Sequence, residues 1–171
     1  MLQWDWYNIL IEGAEIERLI RWLCGGLLGV ICLTDMRKRL IPNTIVLPAI
    51  LIFLCIRSVY PLEKETFATH ILAMLLAFVL LYVTAIITKG GVGGGDIKLA
   101  ALLGLIVGKA YIIALLLVAG ISAIALVILL GRQPRMKKEG IPFGCCLTVG
   151  WFLTYIDRID VLHVYSTFFL P

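Results

Sequence analysis

Long apolar runs separated by short polar loops dominate the 171-residue chain. A helix needs about 20 residues to cross the roughly 30 Å of hydrocarbon in a bilayer. The runs therefore predict an all-α, polytopic membrane protein with six transmembrane helices. Five of the predicted spans follow directly from the runs, at about residues 19–34, 44–60, 67–88, 111–130 and 141–155.

The fourth predicted span is short. Residues 97–130 are apolar apart from Lys98 and Lys109, and a helix of that length is too long for one crossing. Gly108 and Lys109 are predicted to mark a turn, which leaves 97–107 as the fourth span. If this segment failed to cross, the basic cluster at 132–138 would move to the outer side of the membrane, against the positive-inside rule. We therefore predict that the segment crosses.

A glycine-rich break is predicted before this short helix. Each glycine opposes helix formation by about 1 kcal/mol relative to alanine, and five lie between Lys89 and Asp96: Gly90, Gly91, Gly93, Gly94 and Gly95. Broken backbone at membrane depth is tolerated only where protein buries it or water reaches it. We therefore expect this loop to line a polar cavity.

Basic residues give the predicted orientation. With six spans and an outside amino terminus, the inside loops hold nine of the fifteen basic residues, as the positive-inside rule requires. They are Arg37, Lys38, Arg39, Lys89, Lys98, Arg132, Arg135, Lys137 and Lys138. They form no stripe interleaved with aromatic residues, so the bilayer is the expected partner and nucleic acid is not.

Composition agrees with a single membrane-embedded domain over residues 1–171. The chain is 61% hydrophobic and 15% charged, with a mean hydropathy of +1.03. Residues 1–17 and 157–171 mix aromatic and charged side chains, and we predict an interfacial segment and an interfacial tail there. The five cysteines form no C-x-x-C pair, so we expect no metal site and no cofactor.

Elimination leaves carboxylates as the candidate chemistry. The two histidines have no H-E-x-x-H spacing, no serine lies in G-x-S-x-G, and the glycine run lacks the G-K-[ST] of a phosphate loop. The predicted topology places Asp35, Asp96 and Glu139 inside. Glu139 lies in a basic loop and is typical of a solvated charge.

Asp35 and Asp96 both lie at the predicted inner membrane boundary. Asp35 ends the first span and Asp96 opens the fourth, so the helix dipole opposes one ionised carboxylate and favours the other. Two such carboxyl groups would serve an aspartic peptidase as base and acid. The residues alone also fit a structural interpretation, in which Asp96 caps a helix and Asp35 pairs with Arg37 or Arg39.

Three stretches resemble motifs of the type IV prepilin leader peptidases, which are membrane aspartic peptidases of the GxGD type. They are DMRKRLIPN at 35–43, GVGGGDIKL at 91–99 and IPFG at 141–144, the last followed by Cys145 where a proline is common. The resemblance extends over about residues 14–154. It implies that Asp35 and Asp96 are the catalytic pair.

The resemblance also implies a substrate and a place of action. Members of that family cleave the short basic leader of prepilins or pseudopilins, typically after a glycine, at the cytoplasmic face of the inner membrane. Many also methylate the new amino terminus and carry a zinc-binding segment with two C-x-x-C pairs. This sequence resembles the short branch without that segment, which implies peptidase activity without zinc and leaves N-methyltransferase activity doubtful.

Several further motif residues are expected to bind substrate or support the site. They are Pro42, Gly93, Gly94, Gly95, Lys98, Pro142, Phe143 and Gly144. An extended leader could pair with the backbone of 93–95, while Lys98 could either balance Asp96 or mark the inner interface. The oligomeric state and the pilin served stay open.

Other functions compete with this interpretation. A small transporter or channel could use the two acids to bind an ion or relay protons beside a broken helix. A lipoprotein signal peptidase is also a small aspartic membrane enzyme, but its site faces the outer side. A non-catalytic pilus assembly partner would need neither carboxylate.

Overall fold

The structure is a computed structural model that describes residues 2–38, 41–61, 65–89, 91–130 and 143–156. Every regular element in these ranges is helical, which confirms the predicted all-α class. The helices are α1 (Leu2–Lys38), α2 (Asn43–Val59), α3 (Phe67–Ile87), α4 (Gly94–Val107), α5 (Lys109–Leu130) and α6 (Phe143–Trp151), the last continued by a π-helical stretch, Phe152–Ile156. The predicted tail, Glu139 and Pro142 lie outside the described residues.

Three described segments are long and apolar enough to cross a membrane. They are Ile16–Lys38 in α1, Phe67–Ile87 in α3 and Lys109–Ile128 in α5. The outward faces of these helices carry exposed Leu, Ile and Val side chains. Because such faces are stable against hydrocarbon but not against water, the chain is a membrane protein.

Helix α4 is the buried centre of the bundle. Its side chains from Leu99 to Val107 are all buried, and α2, α3, α5 and α6 pack around it. The closest approach is to α3, where a Cβ added to Gly104 would lie 2.5 Å from the carbonyl oxygen of Ala73. A small residue is required there because two backbones meet.

The carboxyl end of α4 stops inside the bundle at Gly108. This glycine has φ +76, a conformation that L side chains rarely adopt. The last carbonyl groups of a helix have no partner within it, and here other helices supply donors. Arg57 Nη2 of α2 donates to the Ile106 oxygen at 2.7 Å, and His70 Nδ1 of α3 donates to the Leu105 oxygen at 2.9 Å.

The start of α5 is satisfied in the same way. The Glu65 carboxylate accepts from the backbone N–H groups of Lys109 at 3.2 Å and Ala110 at 3.1 Å. Arg57 is fully buried and forms an ion pair with Glu17 of α1. These contacts connect α1, α2 and α3 to the corner between α4 and α5, and they allow α4 to be short.

The beginning of α4 differs from the prediction. The helix starts at Gly94, three residues before Ile97, because the carbonyl of Gly93 accepts from the N–H groups of Asp96 at 3.1 Å and Ile97 at 3.3 Å. Two of the predicted loop glycines therefore belong to the first helical turn. Burial of the rest of α4 offsets their low helix propensity.

Candidate active site

Four helix ends meet at one end of the bundle, and Ile41 lies between them. A Cβ added to Gly95, in the first turn of α4, would lie 2.8 Å from the Ile41 Cβ. A Cβ added to Gly144, in the first turn of α6, would lie 3.1 Å from the Ile41 Cδ1 and 2.9 Å from Oδ2 of Asp35. Residues from all three sequence motifs are thereby brought into contact.

Asp35 lies in the last turn of α1 and is only 5% exposed. Its carboxylate packs against Gly144, where a larger residue would collide with it. The dipole of α1 opposes an ionised group at that end. The structure adds the amino-terminal turn of α6, whose dipole favours a negative charge.

Asp96 uses its two carboxylate oxygens differently. Oδ2 accepts from the backbone N–H of Gly93 at 3.2 Å, so this oxygen closes the start of α4. Oδ1 is buried, and within the described part of the chain it has no hydrogen-bond partner. The predicted role in closing the helix start therefore occupies only one of the two oxygens.

The environment of Asp96 favours its protonated form. Asp96 precedes the apolar stretch of α4, and burial, reinforced by the nearby negative charge of Asp35, raises its pKa to about 6 against the lowering effect of the Gly93 hydrogen bond. The two carboxyl groups are thus close enough to interact electrostatically. A carboxyl group that exchanges its proton near neutral pH is suited to general acid–base catalysis.

Lys98 and the turn at Pro42 hold α4 and α2 together beside the acids. The Lys98 ammonium group donates to Oδ1 of Asn43 at 3.0 Å. Pro42 is extended, with φ −70 and ψ 122, and its carbonyl accepts from the N–H groups of Ile45 at 3.0 Å and Val46 at 3.2 Å. Lys98 therefore connects α4 to the start of α2. The two roles that the sequence suggested, balancing Asp96 and marking the inner interface, did not include this contact.

Comparison with known proteins assigns the family. The sequence pattern of the type IV leader peptidase family matches residues 22–128. The chain belongs to this family. Among curated proteins, a Bacillus subtilis (strain 168) protein named "Prepilin leader peptidase/N-methyltransferase" is 33% identical over 158 residues, which cover 90% of this chain and 61% of the relative. No solved structure matches significantly.

Two residues outside the predicted set also lie at the candidate site. Ile41 separates Gly95 from Gly144, and Asn43 accepts from Lys98. Both flank Pro42 within the first motif, and no other feature of the sequence could have selected them. Of the other predicted residues, Phe143 is half-buried against the core, whereas a Cβ on Gly94 would meet nothing within 4 Å.

Cleavage of a leader peptide at this candidate site is expected to decline as the pH rises above about 6. Asp96 keeps its proton below its pKa of about 6, and above that value the doubly ionised pair accumulates and the acid is lost. The fall should approach tenfold per pH unit. It is measured as kcat/KM for a leader peptide, and a value constant from about pH 5 to about pH 8 would argue against Asp96 as the acid.

Gly144→Ala is expected to lower kcat at least about tenfold, because misplacing a catalytic group by about 1 Å lowers a rate by about 100-fold and the candidate Asp35 needs to move by roughly half of that. The new Cβ would lie 2.9 Å from the Asp35 carboxylate, so this carboxylate must move. Gly29→Ala in α1 is the matched control, since a Cβ there meets nothing within 4 Å. Equal kcat values for both variants, each folded to the wild-type level, would contradict the expectation.

Proposed function

We propose that this chain is an aspartic endopeptidase that removes the leader peptide of type IV prepilins or pseudopilins. The observation that carries the proposal is the carboxyl pair. Asp96 has one oxygen in a helix cap and one buried oxygen with no partner in the described chain, next to the buried Asp35. The family match and the name of the Bacillus relative support the choice of substrate.

The proposed mechanism divides the work between the two acids. Asp96 carries the shared proton, because burial and the neighbouring negative charge raise its pKa, and Asp35 accepts a proton from water. The resulting nucleophile attacks the scissile carbonyl while Asp96 donates its proton to the carbonyl oxygen. Asp35 then returns its proton to the leaving amide nitrogen, and Asp96 recovers its own as the carbonyl re-forms.

Gly93 and Gly95 differ in what they could offer an extended leader peptide. Gly93 is extended, with φ −71 and ψ 147, and its backbone could pair with an extended leader. Gly95, in contrast, faces Ile41 at a distance that leaves no room for a methyl group. Gly95→Ala would therefore disturb packing whether or not the leader docks there.

The placement of the acids supports six spans with the site at the cytoplasmic face of the inner membrane. Arg37 and Lys38 end α1, Lys89 follows α3 and Lys98 lies in the second turn of α4, so basic residues cluster at the end that holds both acids. The positive-inside rule places such an end in the cytoplasm. We propose one domain over 1–171, with residues 1–17 and the tail 157–171 at the interface.

The test is cleavage of a candidate prepilin by the purified chain in detergent, followed by mass analysis of the product's amino terminus. Leader removal at a single bond supports the proposal. An uncut prepilin with a correctly folded protein would favour a non-catalytic assembly role, and proton flux in vesicles without cleavage would favour transport. The product mass also tests methyl transfer, which is outside the proposed activity.

A further inference from the structure

Two cysteines from distant parts of the sequence meet beside the acids. Cys32 of α1 and Cys145 of α6 have their sulfur atoms 2.6 Å apart. The Cys145 thiol also lies 3.4 Å from the carbonyl oxygen of Cys32, as a donor. Neither side chain has a role in the cleavage mechanism above.

Their position links them to the site. Cys32 lies three residues, about one helical turn, before Asp35 on α1. Cys145 directly follows Gly144, which packs on the Asp35 carboxylate. Both cysteines are partly exposed, whereas Cys24 and Cys146 are buried.

We propose that Cys32 and Cys145 form a reversible disulfide that connects α1 to α6 and inactivates the peptidase. The inhibition rests on the proposed function, whereas the disulfide itself does not. A disulfide holds its sulfurs about 2.05 Å apart, so this pair needs to approach by only about half an ångström. The other described cysteines show no comparable sulfur contact.

The reaction is a thiol–disulfide exchange with a small disulfide such as oxidised glutathione. The thiolate of one cysteine attacks the reagent, forms a mixed disulfide and releases one reduced thiol. The second cysteine attacks that mixed disulfide and releases the other reduced thiol. Two protein thiols are oxidised, one reagent disulfide is reduced to two thiols, and a dithiol reductant reverses the change.

Inactivation follows from the tight packing around Asp35. Closing the disulfide draws the first turn of α6 toward α1, where no spare volume separates Gly144 from the carboxylate. Asp35 must then shift relative to Asp96. Because misplacing a reacting group by about 1 Å lowers a rate by about 100-fold, we expect cleavage to fall at least about tenfold.

The experiment treats the purified full chain in detergent with oxidised glutathione. Peptide mapping should show the Cys32–Cys145 disulfide, and prepilin cleavage should fall at least about tenfold and recover with dithiothreitol. Cys32→Ser and Cys145→Ser should each cleave at the untreated wild-type rate and resist the oxidant. Cys55→Ser, which removes an exposed cysteine of α2, is the matched control and should remain sensitive.

Failure of the inference and failure of the proposed function are separable. If untreated protein cleaves no prepilin, the proposed function fails, and the inhibition fails with it, while peptide mapping still decides whether the disulfide forms. If untreated protein cleaves, three results would each overturn the inference. They are no disulfide between these cysteines, a disulfide with unchanged cleavage, or undiminished oxidant sensitivity in both serine variants.

Discussion

Replacing either Asp35 or Asp96 by asparagine is expected to lower leader cleavage by at least about 10³-fold, within the range of about 10² to 10⁴ that one general acid or base contributes. The proposed mechanism needs one carboxyl group to accept a proton and the other to donate one. An asparagine amide can do neither near neutral pH. The measurement is the rate of leader removal from a prepilin by purified protein.

Asparagine preserves the shape of each site, so the test isolates proton transfer. The amide oxygen at position 96 can still accept from the Gly93 N–H, as Oδ2 does now. An asparagine at position 35 is the same size as the buried carboxylate that packs on Gly144. Both variants should therefore fold, which detergent thermal melts would verify.

The matched control is Glu139→Gln, which removes the third acid that the predicted topology places inside. Its cleavage rate should equal that of wild type. Retained cleavage in folded Asp35→Asn or Asp96→Asn protein would exclude that residue from the pair. The assembly-partner and transporter functions would then have to be considered again.

The helices were predictable because a chain this apolar has few alternatives. In a bilayer, backbone groups must bond within the segment, so each apolar run becomes a helix whose ends follow the polar residues. The predicted second and third spans agree with α2 and α3 to within one residue. The start of α4 was less predictable, because the capping contact between Gly93 and Asp96 decides it, and glycine content does not.

The motifs selected the two acids as candidates, but the surroundings of these acids were not predictable. Contact between Ile41 and Gly95 joins residues 54 positions apart, and the pair of Cys32 and Cys145 spans 113 positions. Apolar periodicity describes one helix at a time and contains no information on which helices meet. Such contacts depend on how the helices pack against one another, and this is visible only in three dimensions.

The opposite end of the bundle was missed for the same reason. Glu17 lies far from Glu65 and His70 in the sequence, and no local pattern joins these residues to Arg57. Their common target is the α4–α5 corner, whose only local sequence sign is Gly108 and Lys109. The bundle thus has polar side chains at both ends, with proposed chemistry at one and helix termination at the other.

Arg57→Met is expected to lower the free energy of unfolding by about 3–5 kcal/mol, because removing one partner of a buried ion pair leaves the other charge uncompensated. Arg57 is fully buried and bonds to Glu17, to the Ile106 carbonyl at 2.7 Å and to the Tyr60 carbonyl at 3.2 Å. Methionine matches its length but donates to none of these oxygens. The measurement is unfolding by titration with a denaturing detergent in mixed micelles.

Two further variants separate charge from packing. In Arg57→Met/Glu17→Gln the uncompensated carboxylate is gone, so part of the lost stability should return. Arg37→Met removes an exposed cation at the end of α1 and should change stability by no more than about 0.5 kcal/mol. Because Arg57 lies at the opposite end from Asp35 and Asp96, the folded fraction of Arg57→Met should keep the wild-type kcat. A reduced kcat in fully folded protein would instead show that the α4–α5 corner acts on the acids through α4.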